Sequence, residues 1–185
     1  PNPHDYKIHF ARYETSAAVQ PLDVWLRSHD EWRGWQEYRP KVDAFNRPFI
    51  FSIIQFHHEP DIWLFGGVWR VTDARSDRYD VEAAEILAAF EGRLKLRSSY
   101  RSRGTRVNFE NHYPNLEVQE ILRERYSGRQ FPGYEAIDLS FDELESLVRH
   151  SRSDWKAALE SLKGVYLISD TLTGKRYVGS AYGDD

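Results

Sequence analysis

Apolar and polar residues alternate along several short stretches of the chain, with the period of two that is typical of β-strands. In the first stretch Ile8 and Phe10 alternate with more polar neighbours. In the next two stretches nearly every residue is apolar, which predicts strands buried on both faces. The three stretches are residues 6–13, 49–56 and 63–71. The pattern therefore predicts a mostly β N-terminal region.

Gly66 and Gly67 interrupt the third apolar stretch in its middle. Paired glycines inside a strand indicate a β-bulge, a sharp coil of the sheet, or another backbone or ligand that passes close by. Each of these three explanations favours a curled, barrel-like sheet over a flat one.

Helical spacing first occurs after Pro21, where Leu22, Trp25 and Leu26 share one face and predict a helix over residues 21–28. Other elements are expected from shorter patterns. These are a strand at residues 79–81, a helix or strand at 82–90, an amphipathic segment at 116–126 and a short strand at 134–137.

Two further helices are expected near the C-terminus. Ser140 and Glu143 have the spacing of a capping box, and the apolar residues after them predict a helix that ends at about His150. Ser153 is expected to cap a second helix, which ends at Gly164. This segment is interpreted as a helical linker.

The composition limits the classes of function. With 185 residues, of which 41% are hydrophobic and 15% aromatic, the chain can bury a full core and part of a second domain. The net charge of −4 means that nucleic acid would have to bind a local patch. The absence of cysteine excludes disulfides, zinc–thiolate sites and a cysteine nucleophile. The chain shows neither a membrane-length apolar run nor a signal-peptide pattern, so we predict a cytoplasmic protein without a membrane partner.

Residues 93–106 carry six cations and no acid, although the chain as a whole is acidic. The first three cations alternate with Leu94 and Leu96, so a strand would present them in a row on one face. The six are Arg93, Lys95, Arg97, Arg101, Arg103 and Arg106. Clustered cations suit phosphate contacts, and we predict that they bind a DNA duplex. A solvated strand face, neutralised by acids elsewhere, is the alternative.

Aromatic residues and an amide are concentrated at Trp32, Trp35, Gln36 and Tyr38. One interpretation is that a short helix packs these residues against the sheet. The other, equally supported, is that they stack on a base while Gln36 bonds to its edge, because an amide can both donate and accept. Gly34 between the two tryptophans favours an exposed bend and hence the stacking role.

The turn after residue 56 contains potential metal ligands, His57 and His58 among them. A metal site requires ligands that converge on one point, whereas adjacent residues of an extended chain point in opposite directions. We therefore expect a solvated turn and no metal in this chain, with a metal site as the lesser alternative.

The C-terminal residues contain two β-prone runs, 164–168 and 177–179, separated by a turn with Gly174. This pattern predicts a β-hairpin. If its loop holds an even number of residues, Tyr166 and Tyr177 lie directly opposite each other on one face. An odd loop would need a bulge to achieve the same.

The triplets of this hairpin, with the length between them, resemble the two name-giving motifs of the GIY-YIG nucleases. They are Gly164-Val165-Tyr166 and Tyr177-Val178-Gly179. The resemblance implies an α/β domain in which Tyr166 and Tyr177 are catalytic residues beside the phosphodiester, one of them helping to activate water. For the intact nuclease it also implies Mg²⁺ or Mn²⁺. The family's later arginine and glutamate would follow Asp185, and Ser180 stands where many members have lysine, so we expect an incomplete site and an inactive chain.

The aromatic-rich strands with Gly-Gly-Val-Trp are similar to those of the PUA and EVE folds, some of which hold modified bases in an aromatic pocket. We therefore expect an α+β fold with three parts. These are a mostly β, curved-barrel (PUA/EVE-like) domain with peripheral helices over residues 1–139, a helical linker over 140–163 and a partial GIY-YIG hairpin over 164–185.

Two functions are compatible with these features. In the first, the chain is the DNA-recognition part of a restriction-type GIY-YIG endonuclease, with a modified or flipped base as one candidate target. In the second, it is a non-enzymatic nucleic-acid-binding module whose hairpin is only structural. An arginine-bearing helix and a glutamate beyond Asp185 would favour the first function.

Overall fold

The computed structural model describes residues 1–17, 19–57, 59–139, 141–149, 153–160 and 162–182. The chain divides into two compact units, Pro1–Tyr126 and Ser127–Asp185. This division falls ahead of the domain boundary expected at residue 139. The first unit contains the main sheet, and the second contains the C-terminal helices and hairpin.

Seven strands form the sheet of the first unit. They are β1 (Tyr6–Ala11), β2 (Phe49–Gln55), β3 (Ile62–Ala74), β4 (Tyr79–Ala84), β5 (Leu94–Arg97), β6 (Arg106–Asn108) and β7 (Glu117–Ile121). Six follow the order β6-β1-β2-β3-β5-β7, and β4 pairs with the second half of β3. β1 and β2 are parallel, and the remaining pairs are antiparallel. The fold is α+β and is dominated by a curled half-barrel sheet, which confirms the predicted class.

Both faces of the sheet carry buried apolar side chains. One cluster includes Ile50, Ile54 and Leu64 together with Trp25 and Trp32. The other includes Ile8, Phe10, Phe51, Ile53 and Phe65. Successive residues of a strand point to opposite faces, so β1 sends Ile8 and Phe10 to one cluster and Ala11 to the other. His9 shares the face of Ala11 and is buried with it.

The two mid-strand glycines form a β-bulge, which confirms one of the three explanations offered for them. Ser52 of β2 lies opposite both Gly66 and Gly67, so the register shifts by one residue at this point. Gly67 has a φ of 102°, a conformation that other residues seldom adopt. A side chain at Gly66 would also press on the Trp32 ring, which a Cβ atom would approach to 3.0 Å.

Two helices belong to the first unit, α1 (Pro21–Arg27) and α2 (His29–Glu37). Ser28 separates them and caps α2, because its hydroxyl accepts a hydrogen bond of 3.2 Å from the amide of Glu31. Gly34 lies inside α2, so the expected bend at this residue is wrong, although the residue is exposed as expected. Burial of one helix face stabilises α2 more than the cost of a helical glycine, which is about 1 kcal/mol.

Three of the weaker sequence patterns are now assigned. Residues 82–84 continue β4, and Ala88–Phe90 form a 3-10 turn. The amphipathic segment contains β7. Tyr134–Ala136 form a 3-10 turn instead of the expected strand, and Gly133 immediately before them has a φ of 93°.

The second unit contains α3 (Phe141–Arg149), α4 (Ser153–Leu159) and a hairpin of β8 (Gly164–Ser169) and β9 (Arg176–Ala181). Ser140 and His150, the expected ends of the first helix, lie outside the described residues. Trp155 is buried, and its indole N–H donates to the carbonyl of Arg129 at 2.7 Å. None of the described helices is long and apolar enough to cross a membrane.

Candidate nucleic-acid interface

A cavity of about 390 Å³ opens beside β1, the second half of α2 and the start of β6. Its volume lies within the range of roughly 300–1,000 Å³ that is usual for small-molecule sites. Every residue that lines it belongs to the first unit. They are His9, Phe10, Ala11, Arg12, Glu14, Ala17, Val19, Gly34, Trp35, Tyr38, Thr105 and Arg106.

Two of the four predicted base-reading residues are buried, and the other two line the cavity. Residues four apart lie on the same side of a helix, and Trp32 and Gln36 both lie on the buried side. Trp35 is half-buried and Tyr38 is 60% exposed, and both line the cavity. The structure therefore places two of the four predicted residues at a site that a base could enter.

Trp32 is a core residue in this structure. Its side chain is fully buried, and its indole N–H donates to the carbonyl of Gly66 at 2.9 Å. This bond satisfies a backbone acceptor of the bulge, which would otherwise be costly to bury. The packing interpretation is therefore correct for Trp32 and Gln36. The aromatic spacing alone did not show which face of α2 would be buried, because tertiary contacts determine this.

Gln36 is part of a buried polar group beneath the cavity. Its amide nitrogen donates to the carbonyl of Trp32 at 3.3 Å, and its oxygen accepts from the hydroxyl of Ser52 at 3.4 Å. The same oxygen lies 2.7 Å from Nδ1 of His9. Burial, with the nearby Arg106 as a second cause, lowers the pKa of His9 to about 3, so the ring is neutral at physiological pH.

Arg106 contributes a cation to the cavity wall. Its guanidinium carbon lies 5.2 Å from the ring centroid of Tyr38 and 4.9 Å from that of Phe45. Its Nε is buried, and none of the described residues bonds to that atom. Burial lowers the pKa of Arg106, but arginine remains charged in proteins. The cavity therefore combines a half-buried and an exposed aromatic ring with a cation that contacts rings and has no carboxylate partner among the described residues.

Arg12 brings a second cation to the cavity. Its guanidinium donates to the carbonyls of Tyr100 and Arg101 at 3.3 and 3.5 Å and lies over the Tyr100 ring. No acidic side chain among the described residues forms an ion pair with it. Neither of these two cations is in an ion pair among the described residues, and they outnumber Glu14, the acid in the cavity lining. The excess of positive charge favours an anionic or electron-rich ligand.

Acids from other segments of the chain form ion pairs with two of the six predicted phosphate-binding cations. Lys95 is buried, and its ammonium contacts Glu59 at 2.6 Å and Glu120 at 3.3 Å. Arg101 forms an ion pair with Asp61. The sequence shows residues 93–106 as free of acid, but the fold brings acids to them from the β2–β3 turn and from β7.

The other four cations differ in their surroundings. Arg93 donates to two backbone carbonyls, at 2.9 and 3.1 Å. Arg97 is exposed and bonds to the neutral amide of Gln119 at 2.7 Å. Arg103 is exposed, and the described part of the chain gives it no ion pair. Arg97 and Arg103 are therefore the exposed cations of this segment that have no ion pair among the described residues, while Arg106 lines the cavity.

The C-terminal hairpin brings the two predicted catalytic tyrosines onto one face, although they are not directly opposite. Tyr166 pairs with Gly179, and Tyr177 pairs two residues further along β8. The ring centroids are 6.2 Å apart. The loop holds an even number of residues, as direct pairing required. It closes with a backbone hydrogen bond between Asp170 and Lys175, however, and this register places the two tyrosines diagonally across the hairpin. The expected direct pairing is therefore wrong.

Gly179 determines where the Tyr166 ring lies. A Cβ atom at this position would collide with the ring and hydroxyl of Tyr166. The glycine of the second triplet thus has a packing role, since it allows the tyrosine of the first triplet to cover the opposite strand.

The family resemblance implies Mg²⁺ or Mn²⁺, and the hairpin would need oxygen ligands to hold such an ion. The turn carboxylate of the hairpin, Asp170, already accepts bonds from the hydroxyl of Thr173 and from the amides of Leu172 and Thr173, and these bonds lower its pKa. Within the described residues, no group of three or more His, Asp or Glu side chains could hold a metal ion. The described residues of the hairpin therefore do not form the site that such an ion needs.

The structure describes one of the two histidines that were considered as metal ligands in the β2–β3 turn. His57 stacks on Tyr13, with 4.5 Å between ring centroids. His58 lies outside the described residues. The predicted solvated turn is thus partly replaced by aromatic packing at His57.

Sequence reasoning missed His9 and Arg12 as cavity residues. The alternation in the first strand puts His9 on the more polar side, which suggests solvent. β1 is instead an interior strand, with β2 on one side and β6 on the other, and α2 lies over the face of His9. An available signal was the cation and imidazole that flank the two apolar residues Phe10 and Ala11.

Comparisons of the chain with protein-family models, with curated proteins and with solved structures found no match. The GIY-YIG resemblance rests on the two hairpin triplets, and the PUA/EVE likeness rests on the strand pattern. The cavity and its residues are therefore the main indication of function.

Proposed function

We propose that the first unit, Pro1–Tyr126, recognises DNA by holding one extruded base in the cavity beside Trp35, and that it serves a GIY-YIG endonuclease. The observation that carries this proposal is the combination of two accessible rings, Trp35 and Tyr38, with the uncompensated guanidinium of Arg106. A flat, electron-rich ligand matches both features.

A nucleobase fits this chemistry better than an aliphatic ligand does. Bases stack on aromatic side chains with a gain of roughly 1–3 kcal/mol each, and guanidinium groups add cation–π attraction. Their edges also carry acceptors that Arg12 and Arg106 can bond. Enzymes that act on a base, and domains that inspect one, take it out of the duplex into such a pocket.

The exposed cations supply the contact with the DNA backbone. Arg97 and Arg103 keep their charge, and phosphate contacts of this kind provide affinity without sequence information. Selectivity would then come from the cavity. This division of roles suits a domain that scans DNA and responds to one base.

The hairpin supports a second candidate for the chain as it stands, namely a nucleic-acid-binding module that does not cleave. Tyr166 and Tyr177 are neutral phenols, and phosphodiester hydrolysis needs charge stabilisation and an activated water. We expect a pure sample to bind DNA without nicking it in the presence of Mg²⁺ or Mn²⁺. Nicking that is lost in Tyr166→Phe would instead assign the chain a complete active site.

The proposal is tested by comparing a paired duplex with one that carries a single base opposite an abasic site. A base that has no partner costs less to extrude, so the chain should bind the second duplex more tightly. Trp35→Ala should remove roughly 1–3 kcal/mol of that binding. Tyr113→Ala, which removes an exposed ring that does not line the cavity, is the matched control. Equal affinity of the parent for both duplexes would contradict the proposal.

A further inference from the structure

The orientation of the Gln36 amide is fixed by its surroundings. Its nitrogen lies 3.3 Å from the carbonyl of Trp32, and its oxygen faces Ser52 and His9. The reverse orientation would bring two acceptors, the amide oxygen and the Trp32 carbonyl, against each other. The buried group therefore presents an oxygen, and not an N–H, to His9.

This oxygen fixes the tautomer of His9. An amide oxygen only accepts, so Nδ1 of His9 must carry the proton that fills the 2.7 Å contact. The ring is neutral, since burial and the neighbouring Arg106 oppose a second proton. Nε2 is consequently an acceptor, and it has no hydrogen-bond partner among the residues that the structure describes.

The free acceptor Nε2 belongs to a residue of the cavity lining, where a ligand could donate a hydrogen bond to it. His9 is 3% exposed and lines the cavity, and an acceptor that a ligand shields from water is costly unless the ligand donates to it. Arg12 and Arg106, which also line the cavity, can only donate, whereas Glu14 is an acceptor and Thr105 can do both. A ligand that fills the site must therefore offer both an N–H and at least one acceptor.

We infer that His9 is a specificity-determining residue, whose Nε2 accepts a hydrogen bond from an N–H on the edge of the base, and that Gln36 and Ser52 position it. This inference rests on the proposed function, since it names the contact made by the base in the same cavity. Gln36 acts through His9 and does not touch the base. Its buried amide thus contributes to recognition in a way that its sequence neighbours do not suggest.

The test compares bases that differ only in the donor. The probes are duplexes with one residue opposite an abasic site, where that residue is adenine, purine, cytosine, 2-pyrimidinone or a second abasic site. Purine and 2-pyrimidinone are adenine and cytosine without the amino group. Each amino base should bind roughly 5- to 100-fold more tightly than its partner without the donor.

The outcomes separate this inference from the proposed function. If both members of each pair bind equally but more tightly than the abasic duplex, the cavity holds a base and the role of His9 is wrong. If every duplex binds like the abasic one, the proposed function is wrong as well. If only the amino bases gain affinity, both stand.

Gln36→Glu tests the positioning role. A carboxylate beside Nδ1 would favour the imidazolium, in which Nε2 also carries a proton, so the preference for amino bases should be lost. The ¹⁵N NMR spectrum of the His9 ring gives a check on the unaltered chain, with Nδ1 protonated and Nε2 bare at neutral pH. A proton on Nε2 in the parent would overturn the inference, whether or not the variant folds.

Discussion

The guanidinium carbon of Arg106 lies 5.2 Å from the ring centroid of Tyr38, at the mouth of a cavity that also contains Trp35. The pair joins the end of α2 to the first residue of β6, the strand at the edge of the sheet. A cation over an exposed ring, with no carboxylate bound to it among the described residues, is suited to hold a further flat ligand.

Gly34 allows the cavity to be filled without disturbing the core. A Cβ atom at this position meets nothing within 4 Å. Gly34→Ala should therefore leave DNA binding unchanged and stabilise α2 by about 0.5–1 kcal/mol. Gly34→Trp should fold normally but lose the preference for a duplex with an unpaired base. Melting curves and binding titrations measure both effects, and Gly34→Trp binding both duplexes as the parent does would exclude the cavity.

The two tryptophans of α2 should respond differently to truncation. Trp32→Ala removes a fully buried ring and its bond to the Gly66 carbonyl, so the free energy of unfolding should fall by about 3–5 kcal/mol. Trp35→Ala should cost much less stability and lower the affinity for DNA. Urea titrations of the two variants decide this, and equal destabilisation would show that Trp35 is also a core residue.

The exposed cations should control the salt dependence of DNA binding. Arg97→Ala and Arg103→Ala should each lower the slope of log affinity against log salt by roughly 0.9, because each removes one phosphate contact. Arg75→Ala is the matched control, since Arg75 is half-exposed and paired with Asp73 and Asp80. The measurement is a binding titration at several salt concentrations. A slope that Arg75→Ala changes as much as the other two would argue against a localised interface.

Acid should destabilise the first unit through His9. Its pKa falls from 6.5 in the unfolded chain to about 3 in the fold, so the unfolded state takes up the proton first. Stability is complete above pH 6.5 and decreases by about 1.4 kcal/mol per pH unit as the pH falls towards 3. Urea titrations of the parent and of His9→Gln between pH 7 and about pH 5 measure this window, and the variant should show the smaller decrease.

A second group titrates at lower pH. The bond to Arg47 lowers the pKa of Glu110 from 4.5 to about 2, so its contribution is present above pH 4.5 and is lost as the pH falls through 2. His112 has a pKa lowered by burial and adds a loss of the same sign as that of His9. An equal loss between pH 7 and 5 in parent and His9→Gln would assign the effect to groups other than His9.

Much of the fold could be predicted from local sequence. The apolar stretches became β2 and β3, Pro21 began α1, and the paired glycines formed the bulge. Each of these depends on neighbours in the chain. The diagonal register of Tyr166 and Tyr177 could not be predicted, because it depends on where the turn closes and not on the length of the loop.

The cavity could be predicted only in part. The aromatic spacing drew attention to Trp35 and Tyr38, but it did not show which side of α2 would be buried. His9 lines the cavity because β1 lies in the interior of the sheet, next to β2. Lys95 is not available to phosphate as predicted, because Glu59 and Glu120 from other elements pair with it. Contacts between distant segments decide all three outcomes, and a single sequence does not record them.

Photo-crosslinking tests the central claim most directly. A duplex with one 5-iodocytosine opposite an abasic site is bound, irradiated and digested, and the peptide attached to that base is identified by mass spectrometry. The account predicts attachment within residues 34–41, at Trp35 or Tyr38, and loss of that attachment in Gly34→Trp. Attachment confined to residues 98–103, or attachment that Gly34→Trp leaves unchanged, would show that the base stays outside the cavity.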